Sequence, residues 1–109
     1  MGMIDREGIA ALVREIRQQF HPLRVILFGS YARGEALADS DLNLCLVVGE
    51  AGEWLERHAE FRRRIDPPGV LVEAVIYSAE ELERLRAEAH PFVREILEEG
   101  KVLYERRRA

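Results

Sequence analysis

The apolar run Leu23–Phe28 stops at Gly29-Ser30, and this junction constrains the fold more than any other feature of the sequence. Because the run is nearly all apolar, it predicts a central strand. Glycine breaks the strand, and Tyr31–Ala36 predicts a short helix directly after it. A buried strand that turns at once into a helix is typical of an α/β domain.

The rest of the chain continues this alternation of helical periods with short apolar runs. It predicts a first helix that begins after Asp5, its N-cap, and ends before Pro22. Three more helices are predicted: one at Glu53–Ile65, one that begins at the capping box of Ser78 and Glu81, and one from Pro91 to Gly100. Further strands are predicted at Leu42–Val48, Val70–Ile76 and Lys101–Tyr104. We therefore expect a single domain over residues 1–109, with a mixed sheet packed with helices.

The charge of the chain and its cysteine content limit which partners it can bind and which cellular compartment suits it. Sixteen basic residues against 20 acidic ones give a net charge of -4, so we expect no direct nucleic-acid binding. The run Arg106–Arg108 near the C-terminal end is basic, and we expect it to be a frayed and solvated tail. The single cysteine, Cys45, lies in an apolar strand and predicts a core thiol. No stretch is long enough to cross a bilayer, and we expect a reducing cytoplasm.

Asp41 and Asn43 are the first candidate site residues. They lie two positions apart on a predicted strand, so their side chains leave the same face, while Leu42 and Leu44 enter the core. Two oxygen-bearing side chains at a strand entrance can hold a hard cation such as Mg²⁺. The alternative is a turn at the strand entrance with Asn43 merely exposed, and the local pattern favours neither.

Glu73 interrupts the apolar strand Val70–Ile76, where an unpaired buried carboxylate would be costly. Either its face of the strand is open to water, or a cation or a basic group lies there. A third acid beside Asp41 and Asn43 would supply a metal ligand and a base. The alternative is an edge strand with Glu73 in solvent.

These residues together resemble a known family. Gly29-Ser30, a gap of ten residues, Asp41-Leu42-Asn43 and a later acid, Glu73, are similar to the signature of the minimal nucleotidyltransferases of the DNA polymerase β superfamily. The resemblance runs from about Leu23 to Tyr104. It implies the polymerase β-like nucleotidyltransferase fold. It also implies transfer of a nucleoside monophosphate, AMP from ATP being the expected one, to an acceptor hydroxyl.

The resemblance also implies a role for each matching position. Gly29 and Ser30 would bind the triphosphate, with Arg33 near the phosphates or paired with Glu35. Asp41, Asn43 and Glu73 would bind Mg²⁺, and Asp41 and Glu73 would be catalytic. Asn43 stands where the family has a second aspartate, so one charge is missing. The rival pair Asp39 and Asp41 keeps two acids but shortens the gap from Ser30.

Family members of this size are commonly encoded beside a HEPN-domain protein and act as its antitoxin, some by adenylylating it. The resemblance therefore implies a HEPN-domain protein as partner and acceptor. The alternative is a binding module that neutralises its partner by contact, which the loss of charge at Asn43 favours. Homo- and hetero-oligomers both remain open.

Overall fold

Five helices and four strands follow one another in residues 3–107, the part of the chain that the computed structural model describes. In chain order they are α1 (Arg6–Phe20), β1 (Arg24–Phe28), α2 (Ser30–Arg33), β2 (Leu42–Val48), α3 (Trp54–Arg64), β3 (Val72–Ser78), α4 (Ala79–Ala87), α5 (Pro91–Glu99) and β4 (Lys101–Glu105). This is the order that the sequence predicts, and β2 has the predicted bounds.

The strands form one mixed sheet in the order β3-β2-β1-β4. β1 is antiparallel to both of its neighbours, β2 and β4, whereas β2 and β3 are parallel. β1 is thus central, as its apolar sequence predicts, and β3 and β4 are the edges. The predicted fold class, a mixed sheet packed with helices, is confirmed.

Helices cover both faces of this sheet. Because successive side chains of a strand point to opposite faces, β2 contributes to two separate cores. Leu44 packs with Ile16 of α1 and Phe61 of α3, whereas Cys45 packs on the other face with Ile96 of α5. The face covered by α1 and α3 is called the α1 face below, and the face covered by α4 and α5 is called the α5 face.

The short helix α2 ends earlier than its sequence predicts. It stops at Arg33 rather than Ala36, because Gly34 adopts the left-handed conformation with φ 74° and its N–H bonds back to the carbonyls of Ser30 and Tyr31. Glycine carries no Cβ, so this conformation costs it little. The residues from Gly34 to Asp41 therefore form the loop that leads into β2.

The strand β3 is displaced by two residues from its predicted bounds. Gly69 adopts φ 84° in a turn and Val70 lies in the bend after it, so pairing begins at Val72. The strand then runs to Ser78, whose hydroxyl accepts from the Glu81 N–H and completes the predicted capping box. An apolar sequence alone does not mark where a turn releases the chain into the sheet.

Side chains of α3 and α4 cover the outer edge of β3. The Ile76 N–H donates to His58 Nε2 at 3.0 Å, and Arg57 donates to the Ile76 carbonyl at 3.0 Å. Arg57 also donates to both carboxylate oxygens of Glu81, at 2.7 and 3.1 Å. These hydrogen bonds lower the pKa of Glu81 to about 2, with help from the Ser78 N–H and against the smaller effect of burial.

The C-terminal segment is tied to the sheet as far as Arg106. Its N–H donates to the Leu23 carbonyl at 2.8 Å, and its guanidinium donates to the His21 carbonyl at 2.5 Å. Arg106 is therefore exposed, as expected, but it is not frayed, while Arg108 lies outside the described residues. Within residues 3–107, no helix has the length and apolarity to cross a bilayer.

Candidate active site

Three strands place a row of side chains across the α5 face. The parallel register pairs Asn43 of β2 with Glu73 of β3, and the antiparallel register pairs Asn43 with Phe28 of β1. Residues directly opposite in a sheet project from the same face. Leu42 and Leu44 are fully buried on the α1 face, as predicted. Asn43 and Glu73 are each partly exposed, so this row is open to solvent at its β3 end.

Gly29 brings the backbone against this row. It has φ 80° and ψ -154°, a combination that is open essentially only to glycine. A Cβ at this position would lie 2.5 Å from Asn43 Nδ2, so the Asn43 amide lies directly against the glycine. Position 29 is therefore glycine for two reasons, its backbone conformation and the close approach of Asn43.

Ser30 begins α2 immediately after this glycine. The first amides of a helix have no intrahelical acceptor, so the N–H groups of Ser30 and Tyr31 are available to an anion. The Ser30 side chain is partly exposed, so its hydroxyl can add a further donor. The junction thus places unbonded donors beside the Asn43 side chain.

Asp41 lies in the loop one residue before β2 and is exposed. The next amide, Leu42 N–H, donates to the Leu71 carbonyl at 2.9 Å and continues the parallel ladder towards the loop. By strand alternation, Asp41 leaves the chain on the same side as Asn43. Asp41 also lines a cavity of about 270 Å³ with Ser40 and Leu71, and this cavity includes neither Asn43 nor Glu73.

Glu73 faces both water and a basic group, the two conditions that its sequence context predicts. Its side chain is 41% exposed, and Arg62 of α3 approaches its two carboxylate oxygens at 3.4 and 3.5 Å. Arg62 is itself 70% exposed, so this ion pair is weak. β3 is an edge strand, the alternative that the sequence left open, but Glu73 lies on the Asn43 side of it.

Arg33 is paired locally. Its Nε donates to Glu35 Oε1 at 2.8 Å, and this hydrogen bond raises the pKa of the guanidinium. Of the two arrangements that the sequence allowed for Arg33, the structure contains the pair with Glu35. A phosphate ligand would have to compete with that exposed pair.

Asp41, Asn43 and Glu73 carry the oxygen atoms that a hard cation prefers, but Asn43 contributes no negative charge. Asp41 and Glu73 offer carboxylate oxygens and Asn43 offers a carbonyl oxygen, which are ligand types that Mg²⁺ accepts. Residues 3–107 contain no cluster of three His, Cys, Asp or Glu side chains with metal-binding geometry. The residues present therefore fit a divalent ion that also takes ligands from a bound phosphate.

Two neighbours of this site carried no signal in the sequence. Arg62 was one of several charged residues on an amphipathic helix, and Phe92 of α5 was one of its apolar residues. In the structure, Phe92 packs edge-on against Phe28 with ring centroids 5.6 Å apart and remains 38% exposed. Only the packing of α3 and α5 on the sheet brings them beside the row.

Comparison with known proteins places this chain in a family. A profile of the nucleotidyltransferase domain matches residues 9–104, and the chain belongs to that family. It is 32% identical to a protein of Methanocaldococcus jannaschii named "putative protein adenylyltransferase", over 94% of this chain and 100% of the relative.

Two crystal structures share the fold. One is described as "a putative nucleotidyltransferase from Sulfolobus solfataricus", with a TM-score of 0.62 and 22% identity, covering 90% of this chain and 78% of that one. The other is described as a toxin-antitoxin with AMP-PNP, with a TM-score of 0.59 and 17% identity, covering 90% of this chain and 74% of that one. At these identities, the likeness is one of fold.

Proposed function

We propose that this protein transfers a nucleoside monophosphate, AMP from ATP, to a hydroxyl group of a protein acceptor. The observation that carries the proposal is the meeting of Gly29, Asn43 and Glu73 on one open face, beside the free amides of α2. The name of the Methanocaldococcus jannaschii relative supports adenylyl transfer to protein.

Each residue has a role that follows from its position. Ser30 donates its hydroxyl and backbone N–H to the triphosphate, and Gly29 allows the phosphates to approach the backbone. Asp41, Asn43 and Glu73 would hold Mg²⁺, which neutralises charge on the triphosphate when it is bound.

The transfer itself is a substitution at phosphorus. The acceptor oxygen forms a bond to the α-phosphorus as the bond from that phosphorus to the leaving pyrophosphate breaks. Glu73 takes the proton of the attacking hydroxyl, since a carboxylate that is partly exposed can reach an acceptor entering from solvent. Asp41 is exposed, which suits a side chain that binds a metal ion arriving with the nucleotide.

The acceptor proposed here is a HEPN-domain protein encoded beside this one, with this chain acting as its antitoxin. The structural neighbour described as a toxin-antitoxin with AMP-PNP supports a pairing of this kind. The site lies at an exposed edge of the sheet, where a folded protein can present a hydroxyl group.

A second function is favoured by one residue. Asn43 lacks the charge of a carboxylate, and a divalent ion interacts with an amide more weakly than with an anion. A chain whose metal site is weakened in this way could neutralise its partner by contact alone. The two functions differ in whether AMP becomes covalently attached.

The test uses ATP labelled on its α-phosphate, together with the HEPN-domain protein encoded beside this one. We expect label on that protein with Mg²⁺ and none with chelator, and we expect Asp41→Ala and Glu73→Gln to abolish the transfer. Asp39→Ala tests the rival pair Asp39 and Asp41: transfer should survive it, although Asp39 is also an exposed acid of the same loop.

Transfer that survives Asp41→Ala would contradict the assignment of the site. A stable complex without any labelling, in which the toxin is silenced, would establish the contact mechanism in place of transfer.

A further inference from the structure

A groove of about 660 Å³ runs between α1 and β4. Its apolar floor includes Val13 of α1, Leu27 of β1 and Leu103 of β4. Leu27 belongs to the core on the α1 face, whereas its neighbour Ile26 belongs to the core on the α5 face. The groove therefore lies on the opposite side of the sheet from Asn43 and Glu73.

Among residues 3–107, the groove is lined by four basic side chains and by no acidic one: Arg6, Arg14, Arg17 and Lys101. None of the four forms an ion pair within residues 3–107. Seven arginines of the described residues, all away from the groove, are paired with glutamates: Arg33, Arg57, Arg62, Arg63, Arg64, Arg86 and Arg94. Arg24, Arg84, Arg106 and Arg107 also form no ion pair within residues 3–107, but they do not line the groove. In a chain of net charge -4, this concentration of unpaired positive charge marks a surface for an anionic partner.

The shape of the groove limits what that partner can be. From Arg6 to Arg17, α1 spans roughly 16 Å, the length of about three helical turns of a docked segment. Apolar residues between the cations would take apolar side chains, which a nucleic-acid backbone does not offer. The one aromatic ring that lines it, Tyr104, is covered by the Arg17 guanidinium at 4.2 Å, so it gives little area for base stacking.

We propose that this groove binds an acidic amphipathic segment of the partner protein, with carboxylates on the four cations and apolar side chains on the floor. The proposal rests on the proposed function for the existence of a protein partner, but it assigns a surface away from the transfer site. The partner would then be held on one face of the sheet and modified on the other. Such holding away from the site raises the local concentration of the acceptor hydroxyl.

The first experiment measures binding of a synthetic amphipathic peptide of leucine and glutamate, about four helical turns long, by calorimetry. We expect saturable binding that weakens as salt rises. We expect Arg6→Glu combined with Arg14→Glu to weaken it at least about tenfold, as loss of charge complementarity does at interfaces. Neither arginine side chain makes a hydrogen bond or ion pair within residues 3–107, so the fold should persist, which circular dichroism checks.

The matched control is Arg63→Glu combined with Arg86→Glu, which changes the net charge equally at two exposed sites outside the groove. It should bind the peptide as the unchanged protein does, and a peptide with lysine for glutamate should not bind. Equal weakening by both double variants, or no peptide binding at all, would overturn the proposal. The proposal would also be overturned if single-stranded RNA displaced the peptide with the same dependence on Arg6 and Arg14. Self-association of this chain with that dependence would overturn it too.

A second measurement separates this proposal from the proposed function. The Arg6→Glu and Arg14→Glu protein should bind ATP unchanged, while its complex with the adjacent HEPN-domain protein should weaken by a similar factor. Peptide binding without ATP binding would support the groove proposal and contradict the proposed transferase function. A complex that depends on exposed Trp54, and not on the arginines, would place the partner elsewhere and overturn the groove.

Discussion

Asn43 and Glu73 lie directly opposite each other on the parallel strands β2 and β3, with Gly29 packed against the Asn43 amide. An aspartate at position 43 would place a second carboxylate beside Glu73. The cation nearby is Arg62, which is exposed and forms only a weak ion pair with Glu73. Two carboxylates opposite each other repel, and a cation between them relieves the repulsion. The present amide therefore lowers the need for a metal ion and also lowers the charge that would attract one.

Replacing Asn43 with Asp should tighten Mg²⁺-dependent ATP binding and raise any AMP transfer. The added carboxylate supplies the charge that a divalent ion needs. In chelator, the like charges should cost roughly 0.5 kcal/mol of unfolding free energy, which Mg²⁺ should restore. Calorimetry with ATP and denaturant unfolding, each with and without Mg²⁺, measure both effects. An Asn43→Asp protein with unchanged metal dependence would show that this row does not hold the ion.

Replacing Gly29 with Ala should destabilise the protein and weaken ATP binding. The added Cβ would meet Asn43 Nδ2, and the backbone conformation excludes other residues, so the combined loss should be about 3 kcal/mol. Gly34→Ala is the matched control, because Gly34 also has a positive φ, 74°, but no atom lies within 4 Å of its added Cβ. It should lose about 1 kcal/mol and keep ATP binding. Equal losses of stability and ATP binding in the two variants would show that the close approach of Asn43 to Gly29 is not the cause.

The Arg57–Glu81 pair should make stability fall in acid. The pKa of Glu81 is lowered to about 2 in the folded protein, below its ordinary value of 4.5. A depressed carboxyl pKa stabilises the fold fully above the unfolded pKa and progressively less as pH falls from about 4.5 towards 2. Allowing for partial exposure, the loss should be about 2 kcal/mol. Urea unfolding at several pH values measures it, and Glu81→Gln should flatten this part of the profile, whereas Glu83→Gln, at an exposed pair, should not.

Cys45 should resist thiol reagents in the folded protein. Its side chain is buried on the α5 face, and burial raises the pKa of the thiol to about 12, so almost no thiolate forms at neutral pH. Labelling with a chromogenic disulfide should proceed only at the rate of global unfolding and become immediate in denaturant. Rapid labelling under native conditions would mean that β2 opens locally. Cys45→Ser should lose roughly 1 to 3 kcal/mol by burying a hydroxyl there.

The sequence by itself determined the elements and most of their bounds, because those signals act over a few residues. The strand Leu42–Val48, the capping box of Ser78 and Glu81, and the helix from Pro91 to Gly100 all follow from local pattern. The spacing from Gly29-Ser30 to Asp41 likewise predicted the family. The sequence did not predict where β3 begins, because the turn at Gly69 depends on where the chain meets β2.

Tertiary structure alone decided which of these residues meet. Asn43 and Glu73 are thirty positions apart in sequence, and only the parallel register of β2 and β3 makes them neighbours on one face. Likewise, Arg6, Arg14 and Lys101 are scattered along a net-acidic chain, and the packing of α1 beside β4 gathers them into one groove. Register and helix packing are set by the burial of whole apolar faces, a property of the assembled sheet that no short segment carries.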